Sequence, residues 1–131
     1  MAAEVSVILD TCALLWLAGG GKKLSRATLR AINEAPVVYV STISGFEISL
    51  KTRNGKLELS LPVEKWFAQV FEHHGLTILP LELEACIAAA ELPAFHDDPF
   101  DRLIIATAKL HDLTVATTDE RFAKYGVTVI C

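Results

Sequence analysis

HDDPFDRLIIATAKLHD runs from His96 to Asp112, and TVAT follows at 114–117. From Pro99 onward the run has helical patterning, with Asp101, Ile105 and Ala108 on one stripe. The four residues after it are β-rich. A helix delivered straight into a strand is half of an α/β unit, and the rest of the chain repeats the alternation. Working outward, strands are expected at 5–9 (VSVIL), 37–40 (VVYV), 76–79 (LTIL) and 127–130 (VTVI). Helices are expected at 11–18, from Ser25 to about Glu34, and at 41–53, 63–74 and 82–91, with a short helical piece at 119–125. The pattern predicts a single α/β domain over residues 1–131, with a mostly parallel central sheet of about four to five strands.

Composition narrows the function classes. Over half of the residues, 52%, are apolar, enough for one good core. The net charge of −4 excludes a generally basic nucleic-acid binder. The charge is uneven: residues 1–65 carry +2 and residues 66–131 carry −6. Basic stretches at Lys22, Lys23, Arg26 and Arg30, and at Lys51, Arg53 and Lys56, would flank an acidic region, as suits a metal-dependent enzyme acting on a polyanion. Solvated helix faces account for the same charges. Cys12, Cys86 and Cys131 have no paired spacing, so they read as small apolar residues in a reducing cytosol rather than as a zinc site or disulfides. The opening apolar run carries Glu4 in place of a basic leader and is interrupted by Asp10, so it is not read as a secretory signal. No run is long enough to span a membrane, and a cytoplasmic location is expected.

The chemistry lies in the acids. In open parallel sheets, ligands sit at the carboxyl ends of strands. Asp10 directly follows the first expected strand, and Asp119 follows TVAT by two residues. Each is also a plausible helix N-cap. Glu47 shares a helical face with Ile43, Phe46 and Leu50, which points it inward, yet Lys51 stands four residues on as a surface ion-pair partner. Asp98 caps the helix opened by Pro99, and Asp101 lies in its first turn. Capping explains either acid singly and explains the crowd of Asp97, Asp98 and Asp101 less well; Arg102 offers partial neutralisation. Oxygen donors drawn from four separate segments suit Mg²⁺ or Mn²⁺ rather than zinc. His96 beside the acids reads as a loop histidine or as a hydrogen-bonding prop. His73 and His74 sit at a helix end, and His111 in the last turn of its helix. Trp16, Trp66 and Phe67 read as core or dimer contacts.

These segments resemble one family. ILDT (8–11), KKLS (22–25), VSTISGFEISLKTRNGKL (40–57), HDDPFDRLIIATA (96–108) and TTDERFAKYGV (117–127), in that order, are similar to the PIN-domain ribonucleases and, more narrowly, to the VapC toxins of bacterial toxin–antitoxin pairs. The resemblance implies a PIN-like α/β/α sandwich and a Mg²⁺-dependent endoribonuclease, with Mn²⁺ as a substitute. Its four acids fall on Asp10, Glu47, Asp101 and Asp119. Asp98 caps or adds a metal contact, and Thr11 and Thr117 support the site. The reaction implied is hydrolysis of RNA phosphodiester bonds by metal-activated water, leaving 5′-phosphate and 3′-hydroxyl ends. RNA steering would fall to Lys22, Lys23, Lys51 or Arg53. The partners implied are RNA, a small cognate antitoxin that occludes the acids, and a second copy in a homodimer. Three rivals stand beside this. An aspartyl-phosphate phosphatase needs a second Asp where the chain has Cys12. A non-catalytic PIN-like binding module gains nothing from four repelling acids. The third is a PIN nuclease of RNA processing outside toxin–antitoxin systems.

Overall fold

The computed structural model describes residues 5–131. Five strands form one all-parallel sheet: β1 (Val7–Leu9), β2 (Val38–Ser41), β3 (Leu76–Leu79), β4 (Thr114–Ala116) and β5 (Val129–Ile130), in the order β3-β2-β1-β4-β5. The helices are α1 (Thr11–Ala18), α2 (Arg26–Glu34), α3 (Thr42–Arg53), α4 (Val63–His74), α5 (Leu83–Glu91) and α6 (Pro99–His111), with a 3₁₀ helix over Glu120–Tyr125. The expected α/β class and parallel sheet are therefore borne out. The two outer stretches were expected longer. Val5 is exposed beyond β1, and Val127 and Thr128 precede β5.

Strand alternation sends neighbouring side chains to opposite faces. Val7 and Leu9 point to one core with Leu14 and Leu17 of α1, Ile32 of α2, Ile48 of α3, and Trp66 and Val70 of α4. Ile8 and Val115 point to the other, with Ile104 and Ile105 of α6 and Phe122 and Tyr125 of the 3₁₀ segment. The result is helix, sheet and helix in three layers. On the second face α5 packs against α6 through the small residues Ala85, Ala89 and Ala106. Trp66 is buried, and Trp16 and Phe67 pack partly on the first core, in line with the core reading. The three cysteines are free, Cys12 and Cys131 exposed and Cys86 half-buried.

Chain order places the site. From β1 the chain builds outward through β2 and β3, then returns to add β4 and β5 on β1's other side. The boundary between β1 and β4 is the point of reversal, where the loops leaving neighbouring strands diverge and open a crevice at the carboxyl edge. Asp10 leaves β1 there, and Thr117 and Asp119 leave β4 beside it. No helix among the described residues is long and apolar enough to cross a membrane.

Candidate metal centre

Each acid is placed by its own local structure. Asp10 ends β1 and caps α1, Oδ1 accepting from the Ala13 amide at 2.7 Å. Its second oxygen accepts from the Thr117 hydroxyl, whose oxygen in turn accepts from the Asp119 amide at 3.0 Å. Asp119 caps the 3₁₀ segment, Oδ1 accepting from the Arg121 amide. Asp98 caps α6 through Phe100 N at 2.9 Å. Capping and site-building are thus one job for Asp10 and Asp119: the geometry that satisfies a helix end also fixes a carboxylate at the crevice.

Glu47 is buried, at 5% exposure, as expected, but not with the neighbours expected. The inward stripe of α3 is Ser44, Glu47 and Ile48, whereas Phe46 and Leu50 are exposed at 58% and 37%. Of the three apolar residues that suggested the face, Ile43 is half-buried on the second core, and Phe46 and Leu50 lie on the outer side, where Phe46 meets the Phe100 ring with centroids 5.9 Å apart. The polar stripe is inward because polar partners await it. Thr11 donates its hydroxyl to Glu47 Oε1 at 2.7 Å and lies 2.9 Å from the Ser44 hydroxyl. Lys51 holds Oε2 at 2.7 Å. Lys51 is therefore engaged with Glu47 rather than free. Arg53, at the end of α3, is exposed, as are Lys22 and Lys23. The last two follow α1, which leads ~12 Å away from the carboxyl edge by helical rise alone.

Arg102 does not neutralise the acids. Its guanidinium donates to the carbonyls of Ala89, Leu92, Pro93 and His96, closing the end of α5. The basic partner beside Asp119 is Arg121, whose Nε and Nη2 form a fork on its two oxygens at 3.0 and 2.8 Å. His96 is 97% buried and reaches both Asp101 and Asp119, its Nε2 lying 2.9 and 3.0 Å from their Oδ2 atoms. Of the two readings of His96 the prop is the one observed. Its sequence signal was only adjacency to the acids. Ser44 and Arg121 had no signal in the sequence reading at all.

The electrostatics divide the acids. Burial, then the charge of Asp98, with Asp10 and Glu47 adding smaller repulsions, lifts the Asp101 carboxyl to about 7 against the opposing pull of His96. Burial also raises Asp10, with Asp119 and Glu47 contributing and the bonds from Thr117 and Ala13 opposing. The Arg121 fork draws Asp119 down to about 2. These mutual effects put Asp10, Glu47, Asp101 and Asp119 in one electrostatic neighbourhood. Among the described residues neither Asp10 nor Asp101 has a Lys or Arg partner. Hard oxygen donors, destabilised as anions by burial and by each other, are a donor set that fits a divalent cation.

This fold, with acids gathered at its carboxyl edge, defines a class. The PIN domain family model matches residues 7–127, and the chain belongs to that family. Ribonuclease VapC22 of Mycobacterium tuberculosis (strain ATCC 25618 / H37Rv) is 32% identical over 121 residues, covering 92% of each chain. Among solved structures, VapBC2 from Rickettsia felis, bound to a DNA fragment from their promoter, superposes with a TM-score of 0.69 at 14% identity, over 95% of this chain and 96% of that one. DNA-bound VapBC from Salmonella typhimurium gives a TM-score of 0.68 at 19% identity with the same coverage. At such identities these two support the fold. The family resemblance seen in the sequence is borne out.

Proposed function

We propose that this protein is a divalent-metal-dependent endoribonuclease, the toxin of a toxin–antitoxin pair, and that residues 1–131 act as one domain. The observation that carries the reading is the convergence of Asp10, Glu47, Asp101 and Asp119 at the reversal point of the sheet, in a chain related to a named ribonuclease. Asp10 and Asp101 would hold Mg²⁺, or Mn²⁺ in its place, because they carry the charge that no basic side chain offsets. Bound there, the ion supplies Lewis-acid activation of water and offsets charge on the scissile phosphate. The protein's part is to hold these acids in place beforehand. Thr117 and Ala13 orient Asp10, and Thr11 orients Glu47, while Lys51 on the second Glu47 oxygen competes with a cation for it. Asp98, spent on its cap, supports rather than ligates. Such preorganisation means little reorientation is needed when RNA arrives. Phosphate steering falls to exposed cations, with Lys22, Lys23 and Arg53, each at or beyond the far end of its helix, as outlying contributors. A small antitoxin covering the acids, a second copy as homodimer partner, and a cytoplasmic location complete the proposal.

The test is RNA cleavage by the purified chain with Mg²⁺, with EDTA, and with Asp10→Asn. Asn retains the cap on α1 but not the charge. Cleavage should require the metal and be lost in the variant while the fold persists. A variant that cleaves like wild type sinks the assignment, and a wild type that binds RNA without cleaving it identifies the binding-module rival.

A further inference from the structure

Helical spacing pointed Phe46 inward, yet the fold leaves it 58% exposed on the outer side of α3, with Leu50 one turn on. Its ring meets that of Phe100, the second residue of α6, with centroids 5.9 Å apart and planes tilted by 59°. Gly45 ahead of it adds no side chain, and a Cβ there would meet nothing within 4 Å. The Phe46 ring is thus backed by Phe100 and otherwise open. What lies beside the pair gives it meaning. Phe46 stands one residue before Glu47, and Phe100 one residue before Asp101. Rings and acids come from the same two elements, and in each a ring adjoins an acid. Successive helical residues point about 100° apart, so Glu47 turns into the crevice while Phe46 lies on its flank.

A phosphate brought to those acids carries its base one sugar away, so the base arrives beside the rings. Every base has a π-face that stacks on an aromatic side chain. In a duplex those faces are already covered by their neighbours; in single strands, loops and bulges they are free. Phe has no donor or acceptor with which to read a base edge. We propose that Phe46, backed by Phe100, is a stacking platform for an unpaired base next to the scissile phosphate. It makes the substrate single-stranded or looped RNA and leaves the identity of that base unread. The proposal rests on the reading that the adjoining acids serve a ribonuclease.

Two substitutions isolate the ring. Phe46→Leu keeps an apolar side chain without a π-face, and Phe46→Trp keeps a flat one. Both lie at an exposed position and should melt close to wild type. Binding is read in EDTA by anisotropy of a single-stranded RNA in which each base in turn is replaced by a fluorescent analogue that dims on stacking. Wild type should dim the analogue at one position. Phe46→Leu should bind about fivefold or more weakly and lose the dimming. Phe46→Trp should restore both, and a duplex of the same sequence should bind wild type and Phe46→Leu alike. A folded Phe46→Leu that binds and dims like wild type overturns the platform. So does one that changes only the sedimentation of the protein, which would assign the rings to a contact with a second copy. Wild type that binds no single strand in EDTA also overturns it, and cleavage in Mg²⁺ then decides separately whether the ribonuclease reading stands.

Discussion

Asp101 and Asp119 both lie within 3.0 Å of one imidazole nitrogen, yet one carboxyl is lifted to about 7 and the other drawn down to about 2. The same split runs through the whole rim. One pair, Glu47 and Asp119, each hold a basic partner, Lys51 and Arg121. The other pair, Asp10 and Asp101, hold no Lys or Arg among the described residues and are raised by burial. The contrast teaches where the unmet charge lies. A rim of four acids is not uniformly hungry for a cation; the need is concentrated on the two that the chain leaves without a counter-ion.

The hardest blow to that contrast is Asp101→Asn. RNA cleavage in Mg²⁺ should fall about a hundredfold or more, the scale of losing one electrostatic stabiliser of a transition state. The metal-free protein should nevertheless melt no lower than wild type, because a repelled, buried anion has been removed. A variant both inactive and clearly less stable would mean Asp101 is a structural acid.

A second test reads the split by pH. The folded Asp101 lies above an unfolded carboxyl, so the folded state binds the extra proton and stability is lost as pH rises from the ordinary carboxylate range through about 7. Asp119 has the opposite sign: its contribution is present at neutral pH and disappears only as pH falls toward about 2. His74, held below its ordinary value by burial and by His73, opposes the Asp101 trend near neutrality. Denaturant unfolding in EDTA should therefore show wild type losing stability relative to Asp101→Asn between about pH 5 and pH 8. Parallel curves would refute the lifted carboxyl.

The smallest effect belongs to Lys51→Met. Lys51 is half-exposed, so its attraction to the cup is partly screened by solvent. Removing it should tighten Mn²⁺ binding by about fivefold or less, measured by calorimetry. The metal-free protein should lose a little stability, since Glu47 Oε2 would be left without its partner. Weaker binding would mean Lys51 braces Glu47 for the ion instead of competing with it.

Much of this was legible beforehand, for identifiable reasons. β1 and β4 announce themselves as β-rich runs ending at polar residues, and α6 as a Pro-opened, Asp-capped helix, so Asp10, Asp101 and Asp119 could be placed at strand and helix ends without coordinates. Glu47 was picked for its inward position by the wrong evidence. Helical spacing to Ile43, Phe46 and Leu50 suggested a buried face, but Phe46 and Leu50 face out, and Glu47 turns in beside Ser44 and Ile48. Periodicity registers hydrophobic burial and is blind to a hydroxyl–carboxylate contact between α1 and α3 such as Thr11–Glu47. The roles of Arg102 and His96 were hidden for the same cause. Carbonyls at the end of α5 claim Arg102, and acids from two different elements lie against the buried His96 ring.

The Thr117 hydroxyl that steadies Asp10 comes from 107 positions along the chain. The first acid is made early, whereas β4 and the loop that completes its surroundings are made late and dock beside the first strand. An unfinished polypeptide still emerging from the ribosome thus carries Asp10 and Glu47 but no working cup. The four acids can meet only once synthesis has passed residue 119.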